Sequence, residues 1–250
     1  LRQLGTLGGG NHFVEIQKEK DNTIWIMIHS GSRNLGKQVA DHYNKLAKKL
    51  NKEWNSPVNP KVDLAYLPFK TGEAQQYFDE MNYCVDFALA NRKLMLTRVQ
   101  EVFRYYFPNI TFGEMINIAH NYAVWEKHFG KKVLVHRKGA TSAHKGELGI
   151  IPGSQGTNSY IVEGLGNPES FASCSHGAGR KMGRNEAIRS LSLEEEQRKL
   201  DRLGIVHAIR RQRDLDEAPS AYKNIVQVMA DQEDLVKIVV KLWPLAVVKG

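Results

Sequence analysis

The chain has 250 residues, enough for one large domain or two small ones around a sizeable core. Its composition, 42% hydrophobic and 25% charged, is that of an ordinary soluble globular protein without a low-complexity tract. Two cysteines, Cys84 and Cys174, exclude a disulfide framework, and no long apolar run or signal-like segment appears, which favours a reducing cytoplasm and no membrane span. The formal net charge of +8 raises the expectation of a phosphate-rich partner such as a nucleotide or nucleic acid. Much of that excess is interleaved with acids, as in KEKDN (18–22) and EEEQRKLDR (194–202), so a solvated surface explains part of it.

Along the chain, Val14-Glu15-Ile16 and residues 23–28 are β-branched, apolar runs around Lys20-Asp21-Asn22, which predicts a hairpin. Val39, Tyr43, Leu46, Ala47 and Leu50 share one face of a helix over 35–50. A Pro-containing loop covers 55–68, and the longest helical pattern runs over 73–106, where Cys84 reads as a buried small hydrophobe. Short strands are expected at 116–119, 133–136, 149–153 and 159–163, then helices around 193–213 and 230–242. There is no linker and no internal repeat. The expectation is one α+β domain of mixed sheets with flanking helices.

Chemistry concentrates at three kinds of position. His12 follows Gly8-Gly9-Gly10-Asn11, His29 ends a predicted strand, and His120 ends another before Asn121. Three imidazoles in such settings can converge at a sheet rim, where neutral imidazole suits Mn, Fe, Co, Ni or Zn. His42, His128, His136, His144 and His207 are assigned to surface or packing. Four Gly-rich segments combine glycine with hydroxyls or amides: Gly8-Gly9-Gly10, Ser30-Gly31-Ser32, residues 152–159, and His176-Gly177-Ala178-Gly179. Glycine lets backbone N–H groups approach phosphate oxygens, yet no standard nucleotide signature is present. His176 by itself reads as metal ligand, general base, nucleophile or polar loop residue. Arg33, Arg137, Lys138, Arg180, Lys181 and Arg184 lie in or beside these loops and suit phosphate contact, with a solvated surface as the competing reading.

Taken together, LGTLGGGNHFVEI (4–16), HSGSRNLG (29–36), INIAHNYA (116–123), HRKGAT (136–141), IPGSQGTNSYIV (151–162), SCSHGAGRKM (173–182), DEAPSAYKNI (216–225) and LAVVKG (245–250) strongly resemble the RtcB family of RNA-splicing ligases. They span the chain in family order. The resemblance implies an RtcB-like fold and a ligase dependent on GTP and two Mn²⁺ ions. It implies joining of RNA 3′-phosphate or 2′,3′-cyclic phosphate ends to 5′-hydroxyl ends, in tRNA splicing or RNA repair. His176 then matches a nucleophile that carries GMP. His12, His29 and His120 match imidazole metal ligands. Asn11, Glu15, Asn121, Pro152, Gly153, Ser154, Gln155, Ser159, His176, Gly177, Ala178, Gly179 and Lys249 match positions that hold the guanine nucleotide. Arg33, Arg180 and Arg184 are the candidates for RNA contact. RNA and an archease-type activating protein are the implied partners.

The family's metal site also uses an Asp and a bridging Cys from an Asp-x-x-Cys-Gly segment, which these 250 residues do not contain. Thiolate and carboxylate charges anchor divalent cations, and three neutral imidazoles hold two of them poorly. The chain, which opens at Leu1 inside a running motif, is therefore expected to be the C-terminal portion of a longer enzyme and weak or inactive alone; the alternative readings are an inactive nucleotide- or RNA-binding fragment and a metal-dependent phosphoesterase. Gly183 stands where a Ser is usual before the arginine, and Asn34 is a smaller departure in the SGSRNLG loop.

Overall fold

In the computed structural model, which describes residues 2–250, the predicted hairpin forms as β1 (Phe13–Lys18) and β2 (Ile24–His29), paired antiparallel. The described residues fall into two compact units, one of residues 2–6 with Ser30–Leu94, the other of Leu7–His29 with Met95–Gly250.

The first unit is helical. The periodic run predicted over 35–50 becomes α1 (Leu35–Glu53), with Tyr43 and Ala47 buried. Asn34 takes a left-handed φ of 72° before its first turn, a conformation Asn tolerates better than most residues. The longest pattern becomes α2 (Gly72–Tyr106), whose residues from Met95 onward belong to the second unit. Tyr43 donates to Glu80 Oε1 at 3.0 Å and packs on Tyr77. Fully buried Asn91 accepts from the backbone N–H of Gly5 and Thr6 and donates to Ser30 Oγ, so one side chain satisfies several loop groups. Cys84 is buried here, as expected of a small hydrophobe.

The second unit holds a five-stranded antiparallel sheet in the order β2-β1-β9-β7-β6, with β6 (Leu148–Ile151), β7 (Ser159–Gly164) and β9 (Val236–Lys249). A two-stranded ribbon, β3 (Asn121–His128) with β4 (Lys131–Lys138), and a short pair, β5 (Ala140–Ser142) with β8 (Ser173–Ser175), complete the strands. Ile151, Tyr160, Val162, Cys174, Ile225 and Val236 form one buried cluster; Leu200, Ile209, Leu215 and Val247 form another. Short helices α3 (Arg184–Ser190), α4 (Leu193–Arg202) and α5 (Ile225–Ala230) complete an α+β architecture. Among the described residues no helix is long and apolar enough to cross a membrane.

Three local expectations are corrected. Residues 116–119 form no strand; Ile116 packs against Met27, Ile161 and Leu242, and regular pairing starts at Asn121. The helix expected over 193–213 stops at Arg202, where Gly204 turns with a φ of 68°. His207 therefore lies on no helix; it is buried in the following loop, 3.2 Å from Asp201 Oδ1. The helix expected over 230–242 is replaced after Ala230 by strand β9, where Val236, Ile238, Val239 and Val240 bring strong β-propensity. Pro244 is tolerated in this central strand because the register with β1 shifts beside it, between Ile16 and Gln17.

Candidate active site

Register at one end of the sheet sets the first three side chains. Phe13 on β1 lies opposite His29 on β2 and opposite Lys249 on β9, so His29, Phe13 and Lys249 form a row across three strands. The His29 ring meets the Phe13 ring edge-on, and Lys249 Nζ lies 5.9 Å from the Phe13 ring centroid. The glycine segment before β1 brings His12 to the same edge, its ring centroid 5.6 Å from that of His29. His120 precedes β3, and its carbonyl accepts from Gly139 N–H at 3.0 Å, which closes the base of the β3–β4 ribbon.

The imidazoles form a continuous file. Centroids of His29 and His120 are 5.3 Å apart, and those of His120 and His176 are 5.1 Å apart. His29 Nε2 and His120 Nε2 face each other at 3.2 Å, and Asn121 Nδ2 lies 3.1 Å from His120 Nδ1. An amide donor there assigns the His120 proton to Nε2, pointing at His29. Burial, then the neighbouring His120, His12, His176 and Lys249, pushes the His29 pKa down to about 3, so this ring is neutral at physiological pH.

His176 follows β8 in a tight loop. Ala178 N–H donates to the Pro152 carbonyl at 2.9 Å, and a Cβ on Gly177 would stand 3.1 Å from that same oxygen. The His176 loop and the 152–159 loop are thereby packed backbone to backbone. Burial lowers the His176 pKa while a hydrogen-bonding contact with the Gly139 backbone opposes the shift; its buried Nδ1 has no well-aligned hydrogen bond. Gly139 itself has a φ of 70°, and a Cβ there would lie 3.6 Å from His176 Cε1.

The residues matched to nucleotide binding fall into two groups. Glu15 is buried beside Gln17, whose amide donates to it and to Ser159 Oγ at 2.9 Å; Ser159 Oγ also accepts from Gly153 N–H at 3.1 Å. Burial raises the Glu15 pKa to about 8 against the opposing effects of Gln17 and Lys249. Gly153 is obligatory, since a Cβ would fall 2.2 Å from the Asn158 carbonyl. Ser154 N–H donates to Thr157 Oγ1, and Gln155 Nε2 donates to the Glu217 carbonyl at 2.9 Å. Asn11 and Asn121 are exposed. Gly179 carries a φ of 71°, and its carbonyl accepts from Lys223 N–H.

Glu217, with its side chain only 3% exposed, organises the basic residues. It receives Arg184 Nε at 2.9 Å and the Tyr222 hydroxyl, with Arg180 Nη1 at 3.1 Å from Oε2 without hydrogen-bond alignment. Arg180 also donates to the carbonyls of Met182 and Asp216, so its guanidinium is turned inward. Arg184 is half exposed and lies against Gly10. Arg33 belongs to the first unit, where its Nε donates to Thr6 Oγ1 at 3.0 Å. Burial lowers the Lys249 pKa, partly offset by Glu217 and Asp216. Glu217, Tyr222, Gln17 and Gly139 were not singled out from the sequence. The DEAPSAYKNI and HRKGAT motifs carried the signal for three of them.

Among the described residues no group of three or more His, Cys, Asp and Glu side chains is arranged to hold a metal ion. His12, His29 and His120 offer neutral nitrogen donors and no charge. Cys84 and Cys174 are buried, the latter with its sulfur 3.2 Å from Thr141 Oγ1, and burial raises both thiol pKa values. This donor set by itself does not fit two divalent cations.

A family profile described as "tRNA-splicing ligase RtcB" matches residues 1–250. The chain is similar to the RNA-splicing ligase RtcB of Escherichia coli K12, with 42% identity over 257 residues that cover all of this chain and 62% of the relative. It is 38% identical to the tRNA-splicing ligase RtcB of Nanoarchaeum equitans and 36% identical to that of Thermococcus kodakarensis, in each case over 99% of this chain and 60% of the relative. The chain thus spans about three-fifths of the length of these relatives.

Proposed function

Because the chain belongs to the RtcB family of tRNA-splicing ligases, we propose that it acts as an RNA ligase that joins a 3′-phosphate or 2′,3′-cyclic phosphate end to a 5′-hydroxyl end with GTP as co-substrate. Within this reading residues 1–250 are the ligase domain. The observation that carries it is His176: an imidazole whose pKa burial lowers, flanked by small residues, with a buried ring nitrogen in no well-aligned hydrogen bond.

A neutral imidazole has a lone pair free for attack, and the absence of side chains at Gly177 and Gly179 opens its approach. An imidazole nitrogen of His176 attacks the α-phosphorus of GTP; the N–P bond forms, the α-phosphorus–bridging oxygen bond breaks, and pyrophosphate leaves. A 2′,3′-cyclic end is first opened by water, which forms a P–O bond as the P–O2′ bond breaks and O2′ takes the proton. An oxygen of the RNA 3′-phosphate then attacks the α-phosphorus and releases the imidazole. The 5′-hydroxyl oxygen attacks the activated 3′-phosphate, GMP departs, and the hydroxyl proton goes to solvent. Backbone N–H groups of the glycine loops face the phosphates, protonated Glu15 donates to the nucleotide, and Lys249 contacts it from the end of β9. Arg184 contacts RNA phosphate.

Manganese remains the proposed cofactor, with His12, His29 and His120 as imidazole donors. When bound it would neutralise phosphate charge. Its anionic ligands would have to come from outside this set of side chains.

The test is incubation with Mn²⁺ and GTP labelled at the α-phosphate. Label bound through an acid-labile, alkali-stable linkage and lost in His176→Ala is the expected result. No label on the chain, even when extended to the length of its relatives, would overturn the proposal.

A further inference from the structure

One face of the β3–β4 ribbon lies opposite the Arg137–Glu126 pair. Side chains alternate along a strand, so odd-numbered residues of β3 share a face with even-numbered residues of β4. The register pairs Asn121 with Lys138, Ala123 with His136, Trp125 with Leu134, and Lys127 with Lys132. On this face Trp125 is 38% exposed, and Lys127, Lys132, His136 and Lys138 are exposed too. Lys132 Nζ sits 5.2 Å from the Trp125 ring. The ribbon's only acid, Glu126, points to the opposite face, where Arg137 and His128 hold it. The exposed face therefore carries three lysines, a histidine and a tryptophan with no carboxylate among them.

The face runs towards the site, with Ala123 buried between Asn121 and Trp125. Its inner end is Asn121, whose amide touches His120, and Gly139 after Lys138 bonds back to His120. Trp125 is four residues out, about 13 Å at strand rise. An aromatic plate between cations, in line with a phosphate-handling site, is the combination that binds unpaired nucleotides: bases stack on the ring and phosphates follow the lysines.

We propose that this ribbon face is the track for the single-stranded RNA that leads away from the reacting end, with a base stacked on Trp125 and phosphates on Lys127 and Lys132. The inference rests on the ligase reading for the identity of the nucleic acid.

The experiment measures fluorescence anisotropy of a labelled single-stranded RNA oligonucleotide bearing a 3′-phosphate, with the 250-residue chain at several salt concentrations. Trp125→Ala is expected to weaken binding about 5- to 100-fold and Trp125→Phe to retain most of it. Lys127→Ala/Lys132→Ala is expected to lower the slope of log K against log salt by about 1.4, two phosphates' worth on a single strand. Circular dichroism and thermal melts check that each variant is folded. Unchanged affinity and slope in the folded variants, or no binding by the parent chain, would overturn the track. Guanylylation of the unsubstituted protein is scored separately. Its absence even in the chain extended to the length of its relatives, alongside ribbon-dependent binding, would remove the ligase reading and leave the track standing.

Discussion

Two clusters in the second unit use the same residue types to opposite ends. On the inner face of the β3–β4 ribbon, Arg137 is 2% exposed and every donor edge of its guanidinium is engaged. Nε donates to Ser173 Oγ, Nη1 and Nη2 form a fork with Glu126, and Nη2 also reaches the Phe171 carbonyl. Glu126 further accepts from His128 at 2.7 Å. In the imidazole file the rings instead face one another. The buried side-chain polar atoms without a hydrogen bond among the described residues are Gln17 Oε1, Gln155 Oε1, His176 Nδ1 and Arg180 Nη1, all on segments around that site. Arg180 Nη1 still lies 3.1 Å from Glu217 Oε2, so the contrast is one of hydrogen-bond alignment, complete around Arg137 and incomplete around the imidazoles.

The sharpest way to break this comparison is to remove one member of each cluster. Arg137→Ala leaves the partly buried Glu126 without its fork and is expected to cost about 3 kcal/mol. It also frees Ser173, three residues before His176. His176→Ala removes a group with no well-aligned hydrogen bond on Nδ1 and is expected to change stability by less than about 1 kcal/mol in either direction. Urea unfolding of both variants decides the matter. A His176→Ala loss as large as that of Arg137→Ala would make His176 a structural residue.

Acidity separates the same regions with opposite signs. Burial alone would raise the Glu126 pKa, but hydrogen bonds from Arg137 and His128 overcome it and bring the value to about 2 from an ordinary 4.5. The fold therefore prefers the ionised form, and this contribution is present above pH 4.5 and lost as pH falls towards 2. Glu15 is the reverse. Burial raises its pKa to about 8 from 4.5, so the fold holds the proton more tightly than the unfolded chain. Its contribution is complete below pH 4.5 and is lost as pH rises to 8. Glu15→Gln is expected to flatten the decline of the unfolding midpoint between those two values, measured in a pH series of thermal melts. An unchanged decline would show that Glu15 ionises freely in the native protein.

The sequence made the first cluster hard to see and the second easy. The loops around the imidazoles are written in short, contiguous motifs, and the turn chemistry that positions them is local, so His12, His29, His120 and His176 could be picked out by number. They converge because strand register and the ribbon base bring separate loops together. Arg137 appeared in one of those motifs only as a basic loop residue, because its partners Glu126 and Ser173 come from different strands, 11 and 36 residues away. The alternation that buries it becomes visible only once β3 and β4 are paired. His128 was likewise assigned without its burial. Helices α1 and α2 were legible from period alone, while β9 was not, since its valines and lysines fit a helix until the sheet supplies partners on both sides.

Gly139 joins the two regions and gives the finest test. It follows Arg137 by two residues, carries a φ of 70°, and stands against His176. A Cβ at 3.6 Å from His176 Cε1 is ordinary van der Waals contact, so Gly139→Ala introduces no clash; its cost is the left-handed backbone, about 1–2 kcal/mol. If the satisfied cluster serves to hold the ribbon base against the nucleophile loop, that strain is relieved by a shift of Gly139, and the His176 ring moves with it. Guanylylation is then expected to slow more than the small stability loss accounts for, with GTP concentration dependence little changed. Gly139→Asn, whose side chain tolerates a positive φ, is expected to recover part of both losses. A Gly139→Ala protein that loses stability but labels His176 at the parent rate would show that the two clusters are neighbours without mechanical connection.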